Sequence, residues 1–371
     1  MAKLGEICKI NMGQSPDSST YNNNKEGIPF FQGNADFGKI NPTIRLWCSN
    51  PVKIAKENDI LISVRAPIGA LNISDCECCI GRGLASLTIT TDKCIQKFLW
   101  YSLINRTHEL ISKGTGSTFK AINKQILFDL KIPLPPLEEQ EKIAMVLDKV
   151  SELIEKREQQ LAKLDELIKS RFVEMFGAPV TNSLNMPLLS LQELGKFGRG
   201  VSKHRPRNAP ELLGGKYPLI QTGEIANAGL YINSFENTYS ELGLKQSKIW
   251  QAGTLGITIA ANIAKTAILT FDACFPDSVV GFTANKKSNN IFIHYWFSFF
   301  QQILEAQAPE SAQKNINLKI LSELKVITPP IEFQNQFAEF VEQTEKIKVA
   351  INSSLDKLKT LKKALMQKYF N

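Results

Sequence analysis

The sequence has no long apolar run. A bilayer-spanning helix needs about 18 consecutive apolar residues, and the richest stretch here, Ile291–Phe300, is too short. The first ten residues, MAKLGEICKI, also lack the apolar core and small-residue cleavage site of a secretory signal. We therefore expect a cytoplasmic protein with no membrane partner.

Metal-binding and nucleotide-binding patterns are missing as well. The seven cysteines are an odd number, and six of them lie in the first hundred residues, unlike a secreted disulfide framework. Cys76 and Cys79 have a zinc-like spacing without a second pair, so buried thiols are favoured over a zinc site. No G-x-x-x-x-G-K-[ST] loop and no convincing cofactor glycines are present. We expect no metal, no cofactor and no intrinsic catalytic site.

The composition is that of a folded protein with a basic balance. The 371 residues are 43% hydrophobic and 22% charged, which excludes a wholly disordered chain and suggests two or three compact units. Lys and Arg number 44 against 36 Asp and Glu, giving a net charge of +8. A polyanion such as nucleic acid is therefore a reasonable partner.

An internal repeat covers nearly the whole chain. KAINKQILFDLKIPLPPLEEQ (120–140) reappears without a gap as KNINLKILSELKVITPPIEFQ (314–334). LGEICKINMGQS (4–15) aligns in the same way with LQELGKFGRGVS (191–202). The matches occur in the same order in both copies, so one structural unit is used twice.

Each copy has the same expected elements. In the first copy, Asp59–Val64 and Leu84–Thr90 are β-rich runs bounded by turn residues, which predicts strands. Ile95–Ser112 has apolar residues at helical spacing and predicts one helix, followed by a glycine-rich loop at 113–118. Asn123 is the expected N-cap of a short helix that ends before Lys131.

A heptad pattern follows each copy. Leu137–Phe176 contains no Pro or Gly, and 17 of its 40 residues are charged. Steps of four and three define a seam in each copy: Ile143, Leu147, Val150, Ile154, Arg157, Leu161, Leu164, Ile168, Arg171 and Met175 in the first, and Phe337, Val341, Thr344, Lys348, Ile351, Leu355, Leu358, Lys362, Leu365 and Tyr369 in the second. This pattern favours two long helices that pair along the seam. Two separate amphipathic helices on two globular cores are the alternative.

The repeat and the seam together predict the architecture. Two copies related by a pseudo-two-fold axis would pair their helices in antiparallel fashion, with a globular head at each end. The fold class is therefore α+β, with two similar mixed α/β heads joined by two long antiparallel coiled-coil helices. The expected boundaries are 1–136 for the first head, 137–176 for the central helix, 177–328 for the second head and 329–371 for the last helix. Net charges of +5 for 1–136 and +4 for 177–330 place the positive excess in the heads.

The strongest candidate for DNA contact is the basic segment GKFGRGVSKHRPRN (195–208). Gly198, Gly200 and Pro206 favour a loop, in which cations can converge on phosphates or enter a groove. Its candidate residues are Lys196, Arg199, Lys203, His204, Arg205 and Arg207. The equivalent segment of the first head offers the polar side chains of Gln14 and Ser15. A solvated surface loop is the alternative interpretation.

Further candidates occur at matched positions of the two copies. Gln32 and Gln221 occupy the equivalent segments FFQGN and LIQTG, and glutamine can bind adenine bidentately. The basic candidates are Arg65 and Lys265 in loops after matched strands, Arg82 and Lys113 beside glycines, and Lys120 and Lys314 at the start of the repeated Lys-x-Ile-Asn segment. Each could equally be an ordinary surface residue.

The whole chain resembles the DNA-specificity subunit of type I restriction-modification systems. The resemblance is carried by KIPLPPLEEQEKIAMVLDKV (131–150) and KVITPPIEFQNQFAEFVEQT (325–344), each before or within a heptad helix. It implies that the heads are target-recognition domains, the helices are the spacer, and the subunit is not an enzyme. The implied partners are double-stranded DNA, two methyltransferase subunits that modify adenine N6, and motor-nuclease subunits in the full complex.

The second segment departs from the family pattern in one respect. PPIEFQNQ lacks one carboxylate of the usual PPLEEQ, which puts the partner contact at that helix in doubt. Two other functions remain open from the residues: an orphan DNA-binding regulator, and an interaction scaffold that binds no DNA.

Overall fold

A computed structural model describes residues 1–116, 120–204, 206, 209–260, 263–307 and 316–370. The chain divides into two compact units, each containing one copy of the repeat. Unit 1 is Met1–Glu158 with Ser353–Asn371, and unit 2 is Gln159–Asn352. Among the described residues, no helix is both long and apolar enough to cross a membrane.

Unit 1 contains eleven short strands within the described residues. They are β1 (Ala2–Lys3), β2 (Cys8–Met12), β3 (Tyr21–Asn22), β4 (Ile28–Phe31), β5 (Leu46–Cys48), β6 (Ile54–Ala55), β7 (Ile60–Ser63), β8 (Leu71–Ile73), β9 (Cys78–Ile80), β10 (Leu84–Ile89) and β11 (Lys131–Ile132). Its helices are α1 (Leu4–Ile7), α2 (Gln96–Asn105), α3 (Thr107–Lys113) and α4 (Lys124–Phe128), followed by the long helix α5 (Leu137–Phe176), which continues into unit 2. The strands form sheets of order β2-β10-β7-β8, β3-β5-β4-β9-β6 and β1-β11.

Unit 2 repeats this arrangement. Its strands are β12 (Leu188–Ser190), β13 (Gly195–Arg199), β14 (Leu213–Leu219), β15 (Tyr231–Ile232), β16 (Asn237–Tyr239), β17 (Ile249–Trp250), β18 (Leu255–Thr258), β19 (Thr266–Leu269), β20 (Ala273–Cys274), β21 (Val279–Ala284) and β22 (Lys325–Ile327). Its helices are α6 (Leu191–Leu194), α7 (Thr222–Asn227), α8 (Glu241–Lys245), α9 (Asn290–Gln307) and α10 (Leu318–Glu323), followed by the long helix α11 (Ile331–Phe370), which ends in unit 1. The sheet orders are β13-β21-β18-β19-β15, β16-β14-β20-β17 and β12-β22.

The two units share the core of their sheet topology, which confirms the internal repeat, although among the described residues unit 2 has one more strand (β15) in the first sheet and one fewer in the second. In unit 1 the central strand β10 lies between β2 and β7, and in unit 2 β21 lies between β13 and β18. Both units also pair two strands in parallel, β4 with β9 and β14 with β20. The predicted N-cap is present in both copies: the side chain of Asn123 accepts from Ile126 N, and that of Asn317 accepts from Ile320 N.

One expected helix is two helices. The predicted span Ile95–Ser112 is interrupted at Arg106, whose backbone (φ −88°, ψ 0°) leaves the helical region. The guanidinium of Arg106 donates to the backbone oxygen of Phe370, 3.1 Å away. The turn between α2 and α3 therefore contacts the end of α11. A contact between residues so far apart in the sequence cannot be predicted from local apolar spacing.

The long helices pair in antiparallel fashion within unit 1. The first turns of α5 contribute Ile143 and Leu147 to the cluster that contains Met366 and Phe370 of α11. Farther along α5, Glu158 forms an ion pair with Lys359 at 3.0 Å. Residue numbers therefore increase along α5 while those of their partners in α11 decrease. The two helices run in opposite directions.

The same order holds within unit 2. Asp165 of α5 forms an ion pair with Lys348 of α11 at 2.8 Å, and the rings of Phe172 and Phe337 lie 5.3 Å apart. Lys348 occupies a seam position and also contacts Glu345 at 2.7 Å. All twenty predicted seam positions are buried or half-buried, so the predicted helix pairing is confirmed.

Candidate nucleic-acid interface

Segments that are far apart in sequence meet at one edge of the sheets of unit 1. There, β2, β4 and β7 end and β10 begins. Gln14 N donates to Ile80 O (3.0 Å), and Val64 N donates to Gly83 O (2.9 Å). These bonds hold together the chain before β3, the chain after β7 and the turn that enters β10.

Three of the sequence candidates face one cleft at this edge. Gln32, Arg65 and Arg82 line a cleft of about 470 Å³, together with Asn34 and Ser63. The three candidates are exposed. Two guanidinium groups and one amide therefore surround the same space, a combination of donors and an acceptor that suits base edges and phosphates.

Glycines allow the walls of this cleft to approach each other. A Cβ atom on Gly83 would lie 2.6 Å from the backbone oxygen of Gln32, and one on Gly81 would lie 3.0 Å from its Cα. The carboxylate of Asp36 accepts from Gln32 N at 2.7 Å and orders the opposite wall. Arg82, between the two glycines, is thereby held next to Gln32.

Two polar candidates of the first loop lie at the same edge. Ser15 is half-buried, and its Oγ accepts from the backbone N of Arg82 at 3.4 Å. Gln14 is exposed. The loop after β2 therefore adjoins the arginine side of the cleft.

The two lysine candidates differ in their surroundings. Lys120 is exposed and precedes Ala121, which forms an isolated antiparallel bridge with Arg65. Lys113 ends α3, and its ammonium pairs with Glu109 at 2.7 Å. Lys120 therefore lies beside the cleft, whereas part of the charge of Lys113 is already neutralised by its own helix.

Unit 2 repeats the backbone of this edge. Val201 N donates to Phe275 O (3.0 Å), as Gln14 does to Ile80. Ile259 N donates to Ser278 O (3.0 Å), as Val64 does to Gly83 in unit 1. Residue 260 is therefore the structural equivalent of residue 65, and residue 277 that of residue 82.

The side chains at these equivalent positions differ between the units. Ala260 stands where unit 1 has Arg65, and Asp277 stands where it has Arg82. Gln221 is kept; it is exposed, and its backbone N donates to Glu224 at 3.2 Å. The two edges thus share a scaffold and one glutamine but have opposite charge at one position.

The expected basic loop at 195–208 is partly wrong. Gly195–Arg199 is the strand β13, paired along its whole length with β21. Its glycines serve close packing: a Cβ atom on Gly195 would lie 2.4 Å from the backbone oxygen of Thr283. Lys196 and Arg199 are both exposed, but an odd spacing along a strand directs them to opposite faces of the sheet. Lys196 and Arg199 therefore do not converge within one loop.

The remaining candidates of unit 2 are only partly described. Lys203 and His204 are exposed, and the backbone N of His204 donates to Gln246 at 2.8 Å. Lys265 is half-buried, immediately before β19. Arg199 donates through its Nε to the backbone oxygen of Asp277. Arg205, Arg207 and Lys314 lie outside the described residues.

Two of the three clustered cysteines are strand residues, as the repeat predicts, whereas Cys76 lies in a bend before β9 and is half-buried. Cys78 and Cys79 lie on β9 and are fully buried, and burial raises the pKa of Cys78 to about 12. Their equivalent in unit 2, Cys274, is also buried. Across the described parts of the chain, no three His, Cys, Asp or Glu side chains are grouped so that they could hold a metal ion.

Two polar residues that line the cleft are not among the candidates predicted from the sequence. Ser63 is buried at the end of β7, and its Oγ donates to the backbone oxygen of Arg65 at 2.8 Å, which orients that loop. Asn34 lies two residues after Gln32 on the opposite wall. In the sequence, the only indication of a role for Ser63 or Asn34 is that each lies two residues from a candidate, Arg65 or Gln32.

Comparison with known proteins decides the family. The model of the type I restriction modification DNA specificity domain matches residues 1–166 and again residues 188–362. This chain belongs to that family. The family is a DNA-recognition family, and its members named below are non-catalytic specificity subunits of restriction enzymes.

Relatives match either one part or the whole of the chain. The putative MjaX specificity subunit of Methanocaldococcus jannaschii is 45% identical over 161 residues, which span 43% of this chain and 38% of that subunit. The EcoBI specificity subunit of Escherichia coli is 22% identical and covers 99% of this chain and 84% of its own length.

Solved structures support the same fold. The S subunit from M. genitalium superposes with a TM-score of 0.63 at 16% identity, covering all of this chain and 95% of that one. A chain from a study of assembly and conformational transition of the type I R-M system gives a TM-score of 0.62 at 17% identity, covering all of this chain and 97% of its own. Two similar mixed α/β heads with long helices are therefore the fold of specificity subunits.

Proposed function

We propose that this chain recognises an asymmetric, bipartite DNA sequence. In this proposal the head at 1–136 binds one half-site and the head at 177–328 binds the other. The observation that carries it is the shared edge whose backbone bonds repeat while Arg65 and Arg82 give way to Ala260 and Asp277. Equivalent scaffolds with different side chains would select different bases.

The chemistry of the head-1 cleft suits duplex DNA. Arginine binds guanine O6 and N7 bidentately, and glutamine binds adenine N6 and N7. Arg65, Arg82 and Gln32 present these groups around one cleft, and Lys120 beside it can bind phosphate. In head 2, the carboxylate of Asp277 stands in place of the Arg82 guanidinium, so that position would not bind guanine in the same way.

The long helices would set the gap between the half-sites. Each described helix, Leu137–Phe176 and Ile331–Phe370, has 40 residues without interruption. At 1.5 Å per residue each is about 60 Å long. Their antiparallel pairing within each unit makes them resistant to bending, as a spacer requires.

The helices would also bind two methyltransferase subunits. Leu153 and its counterpart Ile347, shifted by 194 residues, are both exposed apolar side chains, and so are Leu167 and Leu361. Exposed apolar residues at equivalent positions offer the same contact twice, which suits two copies of one partner. Motor-nuclease subunits would join this complex for restriction. Such a complex acts on chromosomal DNA and would therefore work in the cytoplasm.

Methylome mapping tests the proposal. The full-length chain is expressed with its methyltransferase subunit in a host that lacks both, and modified adenines are mapped across the genome. We expect one asymmetric motif with two half-sites and a fixed gap. Replacing residues 1–130 with the matching segment of another specificity subunit should change one half-site only.

Two outcomes would reject the proposal. A change in both half-sites after the exchange would contradict separate recognition by the two heads. Absence of salt-sensitive duplex binding by the purified chain would favour an interaction scaffold instead.

A further inference from the structure

A buried glutamine links the first long helix to its head. Gln140, in the first turns of α5, has no exposed surface. Its Nε2 donates to the backbone oxygens of Lys93 (2.7 Å) and Pro135 (2.8 Å), and its Oε1 accepts from Ile95 N (3.1 Å). Both amide hydrogens and the carbonyl oxygen are therefore engaged with backbone groups.

The second copy has the same arrangement. Gln334 is also fully buried, and its Nε2 donates to Lys287 O (3.1 Å) and Pro329 O (2.8 Å). Its Oε1 accepts from Asn289 N at 3.1 Å. The glutamine is kept although the neighbouring residues differ, PPLEEQ in one copy and PPIEFQ in the other.

The bonds of Gln140 connect two helix starts. Lys93 and Ile95 lie within three residues of the start of α2, and Pro135 lies two residues before the start of α5. Helix α2 then packs on α5 at a second point, where the hydroxyl of Tyr101 donates to Asp148 at 2.7 Å. The contact at Gln140 and the contact at Tyr101 together define the direction of the long helix relative to its head.

We propose that Gln140 and Gln334 are positioning residues for DNA recognition, each holding its long helix at a fixed angle to its head. This inference rests on the proposed function. A gap that is one base pair longer or shorter displaces one half-site by about 3.4 Å along the DNA. A stiff joint between head and long helix would reject that half-site, whereas a compliant joint would tolerate it. The two amides therefore determine how strictly the gap is enforced, although neither one contacts DNA.

Gln140→Glu and Gln334→Glu test this role. Glutamate has nearly the same shape, but its carboxylate cannot donate, so two buried carbonyl groups lose their donor. Gln343→Glu makes the same change at an exposed position of α11 and is the control. Each full-length variant is expressed with the methyltransferase subunit, and modified adenines are mapped.

We expect unchanged half-site bases and a relaxed gap. Methylation at sites whose gap is one base pair longer or shorter should rise about tenfold over wild type in each glutamate variant, and not in Gln343→Glu. If Glu at residue 140 prevents folding, Gln140→Met, which keeps the length without a charge, is measured instead.

Two results would overturn this inference. One is a soluble, active variant that keeps the wild-type gap, which would leave the proposed function intact. The other is a change in half-site bases, which would mean that the head itself was altered. A wild-type chain that directs no bipartite methylation would instead reject the proposed function.

Discussion

Gly83 lies directly against the backbone of Gln32: a methyl group on residue 83 would be 2.6 Å from the oxygen of Gln32. Cβ atoms are essentially never that close to another heavy atom. Any residue other than glycine at position 83 would therefore push the two loops apart. The approach of these loops places Arg82 beside Gln32 in the cleft.

Gly83→Ala should destabilise the first head. The alanine methyl must displace backbone, which costs about 1–3 kcal/mol. Gly33→Ala is the control, because a Cβ atom there meets nothing within 4 Å and its backbone is extended (φ −178°). Denaturant unfolding of both variants provides the measurement, and equal midpoints would contradict the contact.

Arg82→Ala should alter recognition of one half-site only. If the guanidinium contacts a base, binding weakens by about 1–3 kcal/mol and selectivity relaxes at one position. If it contacts phosphate, affinity falls for all sequences and the salt dependence decreases by about one unit. Arg45→Ala, an exposed arginine of the same head that does not line the cleft, should change neither property. Duplex binding at several salt concentrations distinguishes these outcomes.

Lengthening both helices by one heptad should lengthen the recognised gap. Seven residues inserted after Leu161 and Leu355 preserve the four-three pattern and add about 10 Å, or roughly three base pairs. These sites are matched, since Leu161 lies between Glu158 and Asp165, whose partners Lys359 and Lys348 lie on either side of Leu355.

The same insertion rotates one half-site by roughly 100° about the DNA axis, so we expect activity to decrease to the extent that the twist of the coiled coil does not compensate. Four-residue insertions should be worse, because they interrupt the seam. The methylation motif of each variant is the measurement. An active heptad variant with the original gap would contradict a spacer role for the helices.

Lys348→Met should destabilise unit 2. The lysine side chain is only 18% exposed, and its ammonium neutralises Asp165 and Glu345. Without it, the largely buried carboxylate of Glu345 (18% exposed) loses its counter-ion and lies near the exposed carboxylate of Asp165, which should cost about 1–3 kcal/mol. Lys346→Met, at an exposed position of the same helix, should change the unfolding free energy by less than about 0.5 kcal/mol. Equal effects of the two substitutions on the denaturation midpoint would contradict this role.

Local and periodic features were predicted correctly because they depend on neighbouring residues. The seam follows from spacing along one helix, and Asn123 caps α4 with a residue three positions away. The strand Gly195–Arg199 was missed because its pairing partner, Val279–Ala284, is about 80 residues distant, and its glycines resembled a loop. The helix break at Arg106 was also missed; its guanidinium bonds to Phe370, at the other end of the chain.

The sequence alone therefore determined the repeat, the paired helices and the family, since identical segments and apolar spacing are visible in one dimension. Tertiary structure decided which residues share a site. Gln32, Arg65 and Arg82 meet only because three strands end at one edge, and Gln140 joins two helix starts through hydrogen bonds to residues up to 47 positions away. Such contacts depend on how distant backbone segments approach each other in space. The spacing of side chains along the sequence contains no information about that approach.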